Sequence, residues 1–126
     1  MTESIVERLW PMAYAEASKQ INELQKMCRY PVWRPEEVVS AYKIFHTMKS
    51  TMAMVQVGAL ERLFHACEKV LSAASDSAIP VNSDTIKLLG ETVERAAFWL
   101  DCAYHDRSIP EDDIQLLERI GALEGA

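Results

Sequence analysis

Residues 35–55 read PEEVVSAYKIFHTMKSTMAMV and determine the fold class. Apolar side chains recur there at intervals of three and four residues, and they are Val38, Ala41, Phe45, Met48, Met52 and Val55. This spacing places them on one face of an α-helix, because a helix completes a turn every ~3.6 residues. Pro35 is favoured in a first turn, and Glu36 and Glu37 lie at the positive end of the helix dipole. The stretch therefore predicts an amphipathic helix over residues 35–55.

Four other segments show the same helical spacing. The apolar residues that carry it are Ala13, Ala17, Ile21, Leu24, Cys28, Leu60, Phe64, Cys67, Leu71, Ile86, Leu89, Val93, Ala96, Leu100, Ile114, Leu117 and Ile120. They predict four more helices, over residues 3–28, 59–74, 83–105 and 109–121.

Helix caps and the lack of strand patterns complete the fold prediction. Asn82 offers an N-cap for the helix that follows it, and Ser108 with Glu111 fits a capping box at the start of the last helix. Residues 75–80 are expected to form a linker. No segment alternates apolar and polar residues over the length of a strand. We therefore expect one all-α domain over residues 1–126, an antiparallel up-down four-helix bundle with a short fifth C-terminal helix.

The composition restricts the class of protein. Of the 126 residues, 49% are apolar and 25% are charged, which is typical of a folded domain with its own core. Thirteen Lys and Arg against nineteen Asp and Glu give a formal net charge of −6, which argues against nonspecific binding to nucleic acid or anionic lipid. No uncharged apolar run is long enough to span a bilayer, and the N-terminus does not read as a secretory signal. We expect a cytoplasmic monomer with no membrane partner.

The three cysteines do not indicate a disulfide framework or a zinc ribbon. Cys28, Cys67 and Cys102 are odd in number, are widely spaced and form no CxxC pair. We expect them to be buried thiols.

Two of the predicted helices carry polar side chains at related positions. His46 lies roughly 130° from the centre of its helix's apolar stripe, so the imidazole should face solvent, and Lys49 follows one turn later. On the next helix Glu68 borders the apolar stripe, and His65 precedes it by one turn. Packed side by side, the two helices can present all four side chains together. A carboxylate that accepts the proton of one imidazole nitrogen makes the other nitrogen more nucleophilic.

These residues resemble the histidine phosphotransfer (HPt) domain at the N-terminus of the chemotaxis kinase CheA. That family carries H-x-x-K-G on one helix and H-x-x-E on the next, with the second His and the Glu 19 and 22 residues after the first His. His65 and Glu68 stand at the same distances from His46, and Lys49 matches the Lys of the first motif. The five-helix pattern agrees over the rest of the chain.

Two positions depart from the family pattern. Ser50 stands where the family has a Gly after the Lys, and Gln56 stands where it has a second Gly. Because serine is small, access to His46 should be kept, whereas Gln56 bears on the turn at the helix end.

The resemblance implies a phosphocarrier of bacterial two-component signalling. His46 would accept a phosphoryl group on its distal ring nitrogen, from a histidine kinase or a receiver aspartyl phosphate, and pass it to the aspartate of a response-regulator receiver domain. Lys49 would neutralise phosphoryl oxygens, Glu68 would hold the proximal N–H of His46, and His65 would support this network. No cofactor is expected in this chain, since Mg²⁺ would belong to the partner's active site. Without an ATP-binding motif, the chain is expected neither to bind nor to hydrolyse ATP by itself.

Two other interpretations stay open. Ser50 and Gln56 are the features that suggest an HPt-like scaffold, which would bind a receiver or kinase without accepting phosphate. A metal-binding helical bundle could use His46, His65 and Glu68 with a cysteine, although such bundles usually draw on inward-facing carboxylates and this set is expected to face outward.

Overall fold

The computed structural model describes residues 4–77 and 80–124, which are built from five α-helices. They are α1 (Ile5–Met27), α2 (Pro35–Met54), α3 (Gly58–Ser77), α4 (Ser83–His105) and α5 (Ile114–Glu124). In these two ranges, β-type backbone pairing is limited to one isolated bridge between Trp33 and Val81. The predicted all-α class is therefore confirmed. None of these helices combines the length and apolarity needed to cross a lipid bilayer.

Side-chain caps explain where α2 and α4 begin. The Asn82 Oδ1 atom accepts a hydrogen bond from the Thr85 N–H at 2.9 Å, the contact expected of an N-cap. At α2, the Glu37 carboxylate accepts from the Arg34 backbone N–H at 3.3 Å, and Pro35 occupies the first helical position. Both helices begin at the predicted residue.

The predicted start of the last helix is wrong. α5 begins at Ile114 and not at residue 109, and the carboxylate of Asp113 accepts the hydrogen bond of the Leu116 N–H at 3.0 Å. The proposed capping box at Ser108 therefore does not form. A tertiary ion pair explains the difference. Asp113 lies 3.5 Å from a nitrogen of Arg95, and this contact holds the segment before α5 against α4.

The end of α3 also differs from the prediction. α3 continues to Ser77, so residues 75–77 of the predicted linker are helical, and the Ser77 hydroxyl donates to the Ala73 carbonyl at 2.9 Å. The start of the first helix at residue 3 and linker residues 78–79 lie outside the described residues.

The core is formed where α2 meets its neighbours. All six apolar residues of the stripe in residues 35–55 are buried, as predicted. Over the described chain the largest interface between helices is that of α2 and α3, where the ring centroids of Phe45 and Phe64 lie 6.2 Å apart. α1 packs against α2 and α4, and α5 packs against α3 and α4. These contacts hold α2 and α3 in a fixed register.

Gln56 closes the turn between α2 and α3 in a left-handed conformation, with φ of 63°. The Val57 N–H donates to the Met52 carbonyl at 2.9 Å and so ends α2. A side chain with a β-carbon is strained at such a φ, whereas glycine is not. Position 56, where the HPt family that the sequence resembles has a glycine, is thus one whose backbone favours glycine.

Gln56→Gly should raise the free energy of unfolding by about 1 kcal/mol, because it relieves the strained φ. Chemical denaturation of both proteins measures the difference. Gln56→Ala is the control, since it keeps a β-carbon and should leave stability within about 0.5 kcal/mol of the parent. Equal stability of the glycine and alanine variants would show that this φ is not strained in solution.

Candidate functional site

Glu68 lies in the middle of α3 and points toward α2. It is 7% exposed and is the one buried charged residue in the part of the chain that the structure describes. Phe64 and Leu71, about one turn before and after it, are buried in the core together with Cys67. Helical spacing therefore carries Glu68 to the border of the apolar face. A carboxylate at this depth requires polar partners, because an unpaired buried charge is costly.

Two residues of α2 provide those partners. The Nδ1 atom of His46 lies 2.7 Å from Oε1 of Glu68, and the Nζ atom of Lys49 lies 2.7 Å from Oε2. Since His46 and Lys49 are one turn apart on α2, a single carboxylate bridges both. The side chain of His46 is 54% exposed and that of Lys49 is 24% exposed. The imidazole thus faces solvent, as its position off the apolar stripe predicts.

The two partners keep Glu68 ionised. Burial by itself would raise the pKa of Glu68, but hydrogen bonds from Lys49 and His46 and the positive charge of Lys49 favour the carboxylate form. The balance lowers the pKa of Glu68 below its ordinary value. At neutral pH the carboxylate therefore accepts hydrogen bonds and donates none.

This carboxylate determines which nitrogen of His46 is free. Because Glu68 can only accept, Nδ1 of His46 carries the hydrogen and donates it. In the neutral ring the lone pair is then on Nε2, on the other side of the imidazole. Over residues 4–77 and 80–124, Nε2 has no hydrogen-bond partner. An exposed, nucleophilic nitrogen is the result.

His65 lies at the edge of this group. Its Nδ1 atom is 3.7 Å from Oε2 of Glu68, which is too long for a direct hydrogen bond, and its side chain is 54% exposed. The structure thus places three of the four predicted site residues in direct contact and leaves His65 beside them.

Tyr42 is a neighbour of His46 that the sequence analysis missed. Its ring lies one turn before His46 on α2, with the two ring centroids 6.2 Å apart and the planes inclined by 17°. The available signal was the spacing of four residues between an aromatic side chain and the imidazole.

Although His46, His65 and Glu68 are neighbours, their donor atoms do not converge on a common point as metal ligands would. In the described ranges, no three His, Cys, Asp or Glu side chains are grouped to hold a metal ion. Of the cysteines, Cys67 is buried as expected, whereas Cys28 and Cys102 are only half-buried. Burial raises the pKa of Cys28 to about 11 and also raises that of Cys67. Both thiols are therefore protonated at neutral pH and are poor ligands and nucleophiles.

The arrangement can perform nucleophilic chemistry at one atom, Nε2 of His46. Glu68 can stabilise positive charge that develops on the ring, and Lys49 supplies a cation one turn away.

The sequence matches no family model and no curated protein.

Glu68→Gln should lower the free energy of unfolding by about 1–2 kcal/mol at pH 7, because the variant loses charge-assisted contacts to Lys49 and His46. The native contribution is complete above the ordinary pKa of 4.5 and is lost as the pH falls from there through the lowered pKa of Glu68. Denaturation curves at pH 7 and pH 3 should therefore show a smaller difference between the two proteins in acid.

Glu91→Gln is the matched control. Glu91 pairs with Arg119 at 3.0 Å between exposed side chains, so its loss should cost at most about 1 kcal/mol. A difference for Glu68→Gln that stays constant from pH 7 to pH 3 would contradict the lowered pKa.

Proposed function

We propose that this chain is a histidine phosphotransfer domain. It accepts a phosphoryl group on Nε2 of His46 and passes it to the aspartate of a response-regulator receiver domain in a two-component phosphorelay. The observation that supports this most strongly is the Glu68 carboxylate, which contacts Nδ1 of His46 and the ammonium of Lys49, each at 2.7 Å. That arrangement leaves Nε2 as the nucleophile.

In the loading step the Nε2 lone pair attacks the phosphorus of a kinase-bound ATP or of an aspartyl phosphate. The Nε2–P bond forms while the P–O bond to ADP or to the aspartate carboxylate breaks, and the leaving oxygen takes the bonding electrons. The imidazole gains positive charge as its lone pair is shared. Because Glu68 already accepts the Nδ1 hydrogen, this charge forms beside a carboxylate.

In the unloading step a carboxylate oxygen of the receiver aspartate attacks the same phosphorus. The Nε2–P bond breaks, and its electron pair returns to Nε2, which restores the neutral ring. Lys49 places a cation near the phosphoryl oxygens during both steps. The divalent metal that such transfers require is assigned to the partner, as is the ATP site.

The fold supports this assignment. Only residues 55–57 join α2 to α3, and these two helices pack against each other. Helix α1 contacts both α2 and α4. We therefore include in the proposal an antiparallel up-down arrangement of α1 to α4, with α5 added against α3 and α4. A cytoplasmic location belongs to the same proposal.

The two departures from the family pattern are compatible with phosphotransfer. The Ser50 hydroxyl donates to the His46 carbonyl at 3.2 Å, so it is satisfied by its own helix backbone. Gln56 adopts the left-handed φ that a glycine would adopt without strain, so the turn is kept. Neither residue favours the alternative of a scaffold that binds partners without accepting phosphate.

His46→Gln should abolish phosphorylation, because it removes the nucleophile. The protein is incubated with phosphoramidate, or with a chemotaxis-type histidine kinase and ATP, and the modified residue is mapped by mass spectrometry. The parent should carry one acid-labile, base-stable phosphate on His46. His65→Gln is the comparison variant: it keeps the acceptor, so its phosphate should still map to His46.

Two outcomes would reject this function. Undiminished labelling of His46→Gln would assign the acceptor to another residue. An unlabelled parent that still binds a receiver domain would support the scaffold interpretation instead.

Lys49→Met should slow transfer from phosphorylated His46 to a receiver domain by about tenfold or more, because it removes the cation that neutralises the phosphoryl oxygens. Rapid-quench measurement of a single turnover gives the rate. Lys43→Met, on an exposed side chain one turn before His46 and outside the Glu68 network, should change the rate less than about twofold. Equal losses in both variants would indicate general charge attraction and not a role specific to Lys49.

A further inference from the structure

Tyr42 and His46 form a pair of rings on the outer side of α2. The ring centroids are 6.2 Å apart and the planes are inclined by only 17°, which corresponds to an offset stack. Tyr42 is half-buried and packs against the hydrophobic core, whereas the imidazole is mostly exposed. One ring of the pair is therefore anchored, and the other carries the reactive nitrogen.

The hydrogen bond to Glu68 does not fix the imidazole by itself. It restrains the ring at one atom, Nδ1, whereas the direction of Nε2 depends on both side-chain torsions, χ1 and χ2. A flat neighbour along one face obstructs rotation about these torsions. Lys49, the other group within the network, contacts the carboxylate and therefore restrains Glu68 more directly than the imidazole.

We propose that Tyr42 is a positioning residue for the His46 imidazole. Its core-anchored ring limits the χ1 and χ2 rotations of His46, so that Glu68 and Tyr42 together determine the direction in which Nε2 points. This inference rests on the proposed phosphotransfer function, since it assigns Tyr42 a part in the same site.

The aromatic ring of Tyr42, and not its hydroxyl, carries this role. Within residues 4–77 and 80–124 the hydroxyl makes no hydrogen bond, so phenylalanine should substitute for it. The direction of Nε2 matters because phosphoryl transfer requires the attacking and leaving atoms to lie roughly in line. A small misplacement of a reacting atom can lower a rate by about 10²-fold.

The test compares Tyr42→Phe, Tyr42→Leu and Tyr42→Met. Phenylalanine keeps the flat ring, whereas leucine and methionine keep an apolar side chain on the core without it. Each variant is loaded with phosphoramidate, and transfer to a receiver domain is measured over a range of receiver concentrations. Tyr42→Leu and Tyr42→Met should lower the maximal rate about tenfold and leave the half-saturating concentration unchanged, while Tyr42→Phe stays within about twofold of the parent.

A second measurement does not depend on phosphorylation. Side-chain coupling constants of His46, from nuclear magnetic resonance of the unmodified protein, should indicate one χ1 rotamer in the parent and in Tyr42→Phe. Averaging over several rotamers is expected in Tyr42→Leu and Tyr42→Met. Thermal unfolding shows whether Tyr42→Leu and Tyr42→Met are folded. The rotamer and rate measurements are then evaluated on a variant that is folded.

The proposal is overturned if a folded aliphatic variant keeps a single His46 rotamer and the parent's maximal rate. It is also overturned if the loss lies only in the half-saturating concentration, because Tyr42 would then contact the partner and not position the ring. If the parent accepts no phosphate, the proposed function fails, and the rotamer measurement still decides whether Tyr42 orders the imidazole.

Discussion

Burial of the Glu68 carboxylate is the constraint on which the site depends. A charge at the border of the core is costly unless it is paired, and both of its partners come from the neighbouring helix α2. A rotation of α3 by one residue, about 100°, would carry the carboxylate away from His46 and Lys49. The register of the two helices and the geometry of the polar network therefore depend on each other.

The apolar interface between α2 and α3 stabilises the geometry of the Glu68 network. Phe45 and Phe64 pack within the α2 and α3 interface, each directly beside a polar site residue in sequence, so that the same contacts that stabilise the fold orient His46. A site built on two packed helices is held more closely than one carried by loops. The proposed phosphotransfer requires few groups: a nucleophilic nitrogen, a carboxylate to stabilise the ring and a cation for the phosphoryl oxygens.

The sequence predicts the parts of this structure that depend on local spacing. Apolar periodicity identified the buried face of α2, and the position of His46 off that face indicated its exposure. The convergence on Glu68 could be anticipated because a short turn joins two helices of regular pitch. The start of α5 could not, since a tertiary ion pair of Asp113 competes with a local capping signal. The contact between the Tyr42 ring and His46 was not predicted, because a half-buried flanking residue belongs to neither face of an amphipathic pattern.

The position of the phosphate on the imidazole is the decisive observation for the role assigned to Glu68. Phosphorus and nitrogen magnetic resonance of the phosphorylated protein distinguish Nε2-phosphohistidine from the Nδ1 isomer. If Glu68 selects the reacting nitrogen, the protein carries a single phosphohistidine, with phosphorus bonded to Nε2 of His46 and a hydrogen retained on Nδ1 beside Glu68. A phosphate on Nδ1 of His46, or on His65, would contradict it, since the carboxylate would then not select the reacting nitrogen.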